Sequence, residues 1–318
     1  MNENQLKAII ETIKAKFPIY ELPNGIIVNG SCFEVLPLIP KFVYCIINDY
    51  PWFDSTAKQS ENQIILENWK VPEPRKMAFQ MKNILAKGGV VWLFGMQPYQ
   101  CAYNVAMERI GFRFMQEIIW SKIDRPSMGD GRYCLRAHAN IFQYRFDDVK
   151  LADTHYDIKR VCTNPEGDEE IRLASKPPGS HLKGSMQPVA SRLKWTGEEE
   201  LIYRKNIGYP RSIIEAGVVK EYTPEYIGHP SQIPISLVEM LVKMSTEEGD
   251  LVIDPFSGSG TTASVCEKLN RKYIVIEITE EWAKKGYERV LRDIGQFKEE
   301  QKYSTPSLMD FEDEAIHK

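Results

Sequence analysis

A run of nine residues near the carboxyl end of the chain, DPFSGSGTT at 254–262, constrains the fold more than any other feature. A short apolar segment at 251–253 precedes it, a helix-like segment at 263–269 follows it, and a second apolar segment at 273–276 ends in Glu277. The pattern predicts a strand, a glycine loop, a helix and a strand that ends in an acid. Glycines let the backbone approach a ligand, and the helix N-terminus offers free N–H groups. An acid about 20 residues past such a loop is suited to ribose hydroxyls, so we expect a nucleoside-containing cofactor.

The details of the loop separate it from other glycine loops. A third glycine, as in G-x-G-x-x-G, does not follow Gly260, and the sequence Gly-Lys-Ser/Thr of a P-loop is absent from this position. A bare glycine loop can also be a tight strand-to-helix turn that binds nothing. The full string DPFSGSGTT resembles the S-adenosylmethionine loop of the amino-group DNA methyltransferases.

A second informative segment lies near the amino end. Residues 42–47, FVYCII, have the apolar and β-branched character of a buried strand. They lead into Asp49-Tyr50-Pro51-Trp52, which resembles the family's catalytic element Asp/Asn/Ser-Pro-Pro-aromatic with tyrosine in place of the first proline. Taken alone, D-x-P-W is equally compatible with an ordinary turn at the end of a strand.

The order of the two elements defines the subgroup that the chain resembles. The catalytic element precedes the cofactor loop, as in the β group of N6-adenine and N4-cytosine DNA methyltransferases. The resemblance covers residues 23–145 and 208–292, and it includes GIIVNGSCFEVLPLIP at 25–40 and HPSQIP at 229–234. It implies an α/β, Rossmann-like methyltransferase fold, with a mostly parallel sheet flanked by helices and a circularly permuted order of motifs.

The resemblance also implies residue roles. The catalytic residues would be Asp49, Tyr50, Pro51 and Trp52, with the Asp49 carboxylate and the Tyr50 carbonyl accepting hydrogen bonds from the target amine and Trp52 stacking on a flipped base. The cofactor would be bound by Asp254, Phe256, Ser257, Gly258, Ser259, Gly260, Thr261, Glu277, His229, Ser231, Gln232 and Ser31. Trp282 is a candidate cover for the adenine ring or a packing residue, and no metal is expected.

Four residues depart from the family pattern. Ser31 occupies a position where an acid is usual, Ile233 replaces a lysine, and Ala139 follows His138 where glutamate is common. Tyr50 replaces a proline, so we expect it to loosen the backbone of the turn and to add bulk. Together the departures suggest a divergent member of the family, with weak or partner-dependent activity as one consequence.

Composition sets further limits. In 318 residues with 43% hydrophobic content, no apolar run approaches the roughly 18 residues that span a bilayer. The six cysteines form no C-x-x-C pair, so we expect reduced thiols and a cytoplasmic location. The net charge of −4 does not exclude a nucleic-acid partner, since basic residues can be segregated on one face.

The chain is predicted to have four parts. Residues 1–22 form a helical lead-in, 23–145 and 208–295 form the catalytic domain, 146–207 form a target-recognition insert, and 296–318 form an acidic, mobile tail. The insert loses periodicity and interleaves basic with aromatic residues, and its candidate DNA contacts are Lys159, Arg160, Lys183 and Arg192. A surface insertion with ordinary charge is the alternative.

Several functions remain open at this level. The leading interpretation is an N6-adenine DNA methyltransferase, since aspartate as the first catalytic residue is more typical of adenine enzymes of this family. The alternatives are an N4-cytosine enzyme, an RNA methyltransferase, and a non-catalytic subunit that binds DNA or an active partner. The partner would be DNA, with a homodimer or a partner subunit possible and no membrane.

Overall fold

The computed structural model describes residues 3–51, 71–122, 137–163, 168–173, 193–195, 200–206 and 209–304, with the backbone alone in 168–206 and 296–304. The contacts divide the chain into a larger unit, Met1–Tyr156 with Ser212–Lys318, and a smaller unit, Asp157–Arg211. None of the described helices is both long and apolar enough to cross a membrane.

The larger unit alternates strands and helices. Its elements are α1 (Glu3–Lys14), β1 (Ile19–Glu21), β2 (Gly25–Asn29), α2 (Cys32–Val35), β3 (Val43–Asn48), α3 (Pro74–Ile84), β4 (Leu85–Gly95), α4 (Tyr99–Ile110), β5 (Phe112–Ser121) and β6 (His138–Phe146). The smaller unit contributes β7 (Asp168–Leu173), β8 (Leu193–Trp195) and β9 (Glu200–Asn206), after which the larger unit resumes with β10 (Ile213–Glu215), α5 (Ile235–Ser245), β11 (Leu251–Asp254), α6 (Thr261–Lys268), β12 (Lys272–Glu277) and α7 (Glu280–Ser304).

One mixed sheet organises the larger unit. Its strand order is β1-β2-β12-β11-β3-β4-β6-β5-β10. The strands β2, β12, β11, β3 and β4 run parallel, β1 and β6 pair antiparallel with this block, and β10 runs parallel to β5. The central strands are continuous apolar runs because they are covered on both faces, as parallel sheets usually are.

Successive side chains along a strand point to opposite faces of the sheet, so the core has two layers. Residues such as Ile46 and Ile253 pack in one hydrophobic cluster with side chains from α1, α3 and α4. Helices α5 and α6 serve the opposite face, where Trp92 of β4 donates its Nε1–H to Ser245 Oγ at 2.7 Å. The predicted Rossmann-like fold, with a mostly parallel sheet flanked by helices, is confirmed.

The boundaries of the elements refine the predicted parts. The lead-in is helical as far as Lys14, and residues 19–21 form the edge strand β1. After β6 ends at Phe146, the chain continues along the larger unit, where the His155 N–H donates to the Gly88 carbonyl at 2.9 Å. The smaller unit therefore begins at Asp157, within the predicted insert of 146–207. Helix α7 extends through residues 296–304 of the predicted tail, and 305–318 lie outside the described residues.

Within the smaller unit, the described strands form an antiparallel sheet of order β7-β9-β8.

Candidate active site

The predicted cofactor strand and the predicted catalytic strand are neighbours. β11 pairs with β3 in parallel, with Val252 opposite Cys45 and Ile253 opposite Ile46. From β3 the chain moves to β4 on one side, and from β11 it moves to β12 on the other side. A reversal of strand order opens a crevice beyond the carboxyl ends of the strands, where ligands bind in open α/β sheets. Asp49 and Asp254 therefore emerge side by side at this crevice.

A cavity of about 280 Å³ occupies the crevice. It is lined by three predicted catalytic residues, Asp49, Tyr50 and Pro51, and by ten predicted cofactor residues, Ser31, His229, Ser231, Asp254, Phe256, Ser257, Gly258, Ser259, Thr261 and Glu277. Cys32, Phe33, Val71, Pro72 and Val238 also line the cavity. Gly260 and Gln232 do not line it, and Trp52 lies outside the described residues.

Asp254 ties the two ends of the glycine loop together. Its carboxylate accepts a hydrogen bond from the Phe256 N–H at 2.9 Å and another from the Thr262 hydroxyl at 2.6 Å. Burial raises the pKa of Asp254 to about 7, against a usual 3.8, although both hydrogen bonds favour the charged form. Asp254 therefore joins the two ends of the loop and also forms part of the cavity wall.

Two glycines of the loop adopt left-handed backbone conformations. Gly258 has φ +47°, and a Cβ atom there would lie 2.9 Å from His229 Nε2. Gly260 has φ +74°, and its Cβ atom would lie 3.2 Å from the Cα of Gly286 in α7. A side chain at either position would meet both an unfavourable φ and a close neighbour. Gly260 acts in the packing of the loop on α7, which explains its absence from the cavity wall.

Glu277, at the end of β12, holds the loop from the opposite side. Its carboxylate accepts from the Gly258 N–H at 2.9 Å and from the Thr279 N–H at 2.8 Å. Burial raises the pKa of Glu277, and the backbone N–H groups of Thr279 and Gly258 oppose that shift. A carboxylate has about four acceptor sites, so both oxygens can still accept hydroxyl groups of a ligand.

The segment around His229 closes another side of the cavity. The His229 ring packs edge-on against Trp282, with centroids 4.7 Å apart, and His229 Nδ1 accepts from the Ser231 N–H at 3.3 Å. Burial, aided by the charges of Arg289 and Lys285, lowers the pKa of His229 to about 4, so the ring is neutral at pH 7. Trp282 is buried outside the cavity wall, and its contact with His229 favours the packing role over a cover for adenine.

Gln232 fixes the segment around His229 from the side that does not face the cavity. Its Nε2 donates to the Glu225 carbonyl at 2.5 Å, and its Oε1 accepts from the Ile227 N–H at 3.3 Å. These two hydrogen bonds fix the segment that carries His229 and Ser231 of the cavity wall, and the cofactor contact of Gln232 stays a prediction.

Arg289 is a residue that the sequence reasoning missed. Its side chain is fully buried, and Nη1 donates to the Ser259 carbonyl at 3.1 Å and to Thr261 Oγ1 at 2.8 Å. It also forms ion pairs with Glu225 at 3.4 Å and Asp293 at 3.4 Å. Arg289 thus connects the glycine loop, the segment before His229 and α7. The sequence does contain a signal for Arg289, because it lies next to Val290 on the apolar face of α7. A charged side chain on a buried face indicates that it has polar partners.

The predicted catalytic turn, Asp49 to Pro51, is held by packing of the Tyr50 ring. Asp49, Tyr50 and Pro51 all line the cavity, and the Tyr50 ring is buried and stacks on Tyr103 with centroids 4.0 Å apart. Burial raises the pKa of Tyr50, followed by the charge of Asp49, so its hydroxyl remains a donor. The substituted tyrosine packs its bulk into the core behind the turn.

The candidate DNA contacts fall in the smaller unit. Lys159 and Arg160 lie in a short helical turn, Ile158–Val161, in which the Asp157 carboxylate accepts from the Lys159 N–H at 2.9 Å. Lys159 is exposed and Arg160 is half-buried, while Lys183 and Arg192 lie outside the described residues. In the described part of the chain, we find no cluster of three or more histidine, cysteine or acidic side chains arranged for a metal.

Comparison with known proteins defines the class. The DNA methylase family of N6 and N4 methyltransferases matches residues 43–288. The chain belongs to this family. The match confirms the predicted family and enzyme class, a DNA methyltransferase with S-adenosylmethionine as cofactor and DNA as substrate.

Individual relatives extend the match over most of the chain. The type II methyltransferase M2.LlaDCHI of Lactococcus lactis is 25% identical over 86% of this chain and 91% of its own length. The DNA adenine methyltransferase YhdJ of Escherichia coli is 36% identical, over 30% of this chain and 35% of its own. Among solved structures, the PvuII cytosine-N4-specific DNA methyltransferase superposes with a TM-score of 0.59 at 17% identity, covering 89% of this chain and 95% of that one. This last likeness is one of fold.

Proposed function

We propose that the chain transfers a methyl group from S-adenosylmethionine to the N6 amino group of adenine in DNA. The observation that carries the proposal is one cavity shared by the glycine loop, Glu277 and the Asp49 carboxylate. YhdJ, named an adenine methyltransferase, supports adenine as the base, as does aspartate at the first catalytic position. An amine bound at Asp49 would therefore share one cavity with the methyl donor.

The residues present fit the cofactor. The Glu277 carboxylate offers acceptors to ribose hydroxyls, and the cavity approaches the roughly 300 Å³ at which small-molecule sites begin. When bound, S-adenosylmethionine supplies an electrophilic methyl group on a sulfonium. Ser31, His229 and Ser231 are the further residues that we assign to its binding.

The chain's own residues activate and place the amine. The lone pair of an exocyclic amine is delocalised into the base, so the amine is a poor nucleophile. The Asp49 carboxylate and the Tyr50 carbonyl would accept its two N–H groups, which orients the lone pair and stabilises the positive charge that develops on nitrogen. Pro51 fixes its own φ and restricts Tyr50 to an extended conformation. A base in a duplex must be flipped out to reach Asp49, and we assign Trp52 to stacking on it.

The smaller unit is the candidate for sequence recognition. We assign phosphate contacts to Lys159, Arg160, Lys183 and Arg192. We further propose action in the cytoplasm, as a homodimer or with a partner subunit, and sedimentation of the purified protein with and without DNA tests the assembly.

The test is methyl transfer from tritium-labelled S-adenosylmethionine to unmethylated genomic DNA, followed by nucleoside analysis. We expect label in N6-methyladenine, and the same assay with Asp49→Ala protein serves as the control. Label in N4-methylcytosine would change the base, and label in RNA with none in DNA would change the substrate class. Cofactor binding without transfer to any of these would refute the proposal and favour a non-catalytic subunit.

A further inference from the structure

Tyr50 replaces a proline of the family's element, and its side chain is buried in a pocket that holds both its ring and its hydroxyl. Its ring is 1% exposed and stacks on Tyr103, with centroids 4.0 Å apart and planes inclined by 25°. Its hydroxyl donates a long hydrogen bond of 3.4 Å to Gln100 Oε1 in α4. Gln100 Nε2 in turn donates to Asn104 Oδ1 at 2.9 Å, and that atom also accepts from the Tyr144 hydroxyl at 2.5 Å.

Gly95, the last residue of β4, leaves room for this arrangement. A Cβ atom at Gly95 would lie 2.7 Å from the Tyr50 hydroxyl, and it would overlap the Gln100 side-chain oxygen. Any larger residue would therefore displace the hydroxyl or the amide that receives it. The pocket for Tyr50 is thus formed jointly by the end of β4 and the first turn of α4.

The partner of Tyr50 reaches a second part of the cavity wall. The Tyr103 hydroxyl donates to the Pro72 carbonyl at 3.2 Å. Pro72 and Val71 line the same cavity as Asp49 and Pro51. Pro51 and Val71 also bound the interval 52–70, which contains Trp52. The stacked pair therefore connects the two described ends of that interval.

We propose that the Tyr50 side chain is a positioning residue for methyl transfer, which anchors the catalytic turn on β4 and α4 and so aims the Asp49 carboxylate and the Tyr50 carbonyl. The anchor takes over the task of the missing proline, because a ring clamped in a fitted pocket restricts the backbone as ring closure does. An anchored ring would hold the turn in place, which is opposite to the expectation that tyrosine loosens it. The inference rests on the proposed function.

The experiment compares four variants with the wild type by single-turnover methyl transfer to DNA and by calorimetric S-adenosylmethionine binding. For Tyr50→Ala we expect a transfer rate about 100-fold lower, the cost of a misplaced reacting group, with cofactor affinity within about threefold. Tyr50→Phe keeps the stack and loses one long hydrogen bond, so we expect a loss of about threefold. Tyr50→Pro restores the family's residue but empties the pocket, so we expect a rate as low as that of Tyr50→Ala.

Tyr273→Phe is the matched control. It also removes a buried tyrosine hydroxyl, one that donates to Glu267 at 2.8 Å, but it lies near the amino end of β12, away from the cavity. We expect its transfer rate to equal that of the wild type. If Tyr50→Ala does not fold, Gly95→Ala displaces the hydroxyl with Tyr50 in place, and we expect a loss of about tenfold.

The results distinguish three cases: the anchor is wrong, the proposed function is wrong, or the anchor is supported. A folded Tyr50→Ala protein with the wild-type transfer rate, a full rescue by Tyr50→Pro, or an equal loss in Tyr273→Phe would each overturn the anchor. A wild-type protein that binds the cofactor but methylates no DNA would refute the proposed function itself, and the anchor with it. The anchor is supported if the transfer rate falls in Tyr50→Ala and Tyr50→Pro and is largely retained in Tyr50→Phe.

Discussion

The two sides of the cavity are held by different forces. The cofactor side is a network of polar contacts, in which Asp254, Glu277 and Arg289 bind the backbone and hydroxyl groups of the glycine loop. The catalytic side is held by packing, with the Tyr50 ring stacked on Tyr103 behind Asp49. Several hydrogen bonds hold the loop, and among the described contacts of the turn are the stack of Tyr50 on Tyr103 and the long hydrogen bond of Tyr50 to Gln100.

The difference follows from what each side must do. A cofactor loop must keep its backbone N–H groups in fixed positions, and buried polar groups do so if each has a partner. In the proposed function, the turn at Asp49 presents an acceptor to a base that enters from solvent, so its anchor would lie behind the reacting groups. Substitutions on the two sides should therefore separate cofactor binding from transfer.

Asp49→Ala should have the largest effect. It removes the carboxylate that we assign to accept a hydrogen bond from the target amine, and loss of one such group typically costs about 100- to 1,000-fold in rate. Because Asp49 belongs to the catalytic side, cofactor affinity should change by no more than about threefold. Single-turnover transfer and calorimetry measure the two quantities. Asp147→Ala, which removes an exposed acid at the end of β6, is the control. An unchanged transfer rate in Asp49→Ala would contradict the assignment of Asp49 as a catalytic residue.

Gly258→Val should have the second largest effect, on the opposite quantity. A valine would force a β-branched residue into φ +47° and place its Cβ atom 2.9 Å from His229 Nε2. We expect cofactor affinity to fall about 100-fold, equivalent to about 2.7 kcal/mol. Gly295→Val in α7, where a Cβ atom would have open space, is the matched control. Calorimetry that shows equal affinity in both variants would remove the glycine loop from the cofactor site.

The sequence predicts the two sides of the cavity from different kinds of information. The loop, its two strands and Glu277 are consecutive, so local pattern alone places them together. The turn at Asp49 lies about 200 residues away, and its neighbourhood became clear because its order relative to the loop matched a family. Parallel pairing of β3 with β11 then brings the two together.

What sequence reasoning missed depends on contacts distant in the chain. Arg289 reaches back to Ser259 and Thr261, and the pocket of Tyr50 requires Gly95 and Gln100 from other elements. Side-chain direction of this kind is decided by packing and not by local composition. The direction of the Gln232 side chain, by contrast, is set locally, because its partners Ile227 and Glu225 lie five and seven residues before it.

The third prediction concerns pH and sharpens the view of the cofactor side as a strained polar network. Folding raises the pKa of Asp254 from 3.8 to about 7, so the folded protein binds this proton more tightly than the unfolded chain. The associated stability is fully present below the unfolded pKa and is lost as pH rises through about 7. Between about pH 5.5 and about pH 8, the wild type should therefore lose on the order of 2 kcal/mol relative to Asp254→Asn.

Denaturant unfolding of the cofactor-free proteins at several pH values checks this. Asp254→Asn also loses an acceptor for the Thr262 hydroxyl, which shifts its stability by a constant amount, so the readout is the difference in slope. Glu277 is present in both proteins. Parallel stability curves over this range would show that Asp254 is ionised throughout.

The smallest expected effect lies in the other unit and tests whether its basic residues contact DNA. Lys159 and Arg160 are adjacent in the turn Ile158–Val161, and the turn is fixed by Asp157. Neutralising both, as Lys159→Gln with Arg160→Gln, should lower the salt dependence of DNA binding by about two released counterions, a slope change of about 1.8. Affinity should fall several-fold at low salt, and cofactor affinity should stay constant. Lys7→Gln with Lys87→Gln, two exposed lysines of α1 and β4, removes the same charge elsewhere and controls for net charge. An equal slope change in both double variants would show a general electrostatic effect, and recognition would then have to be sought outside this turn.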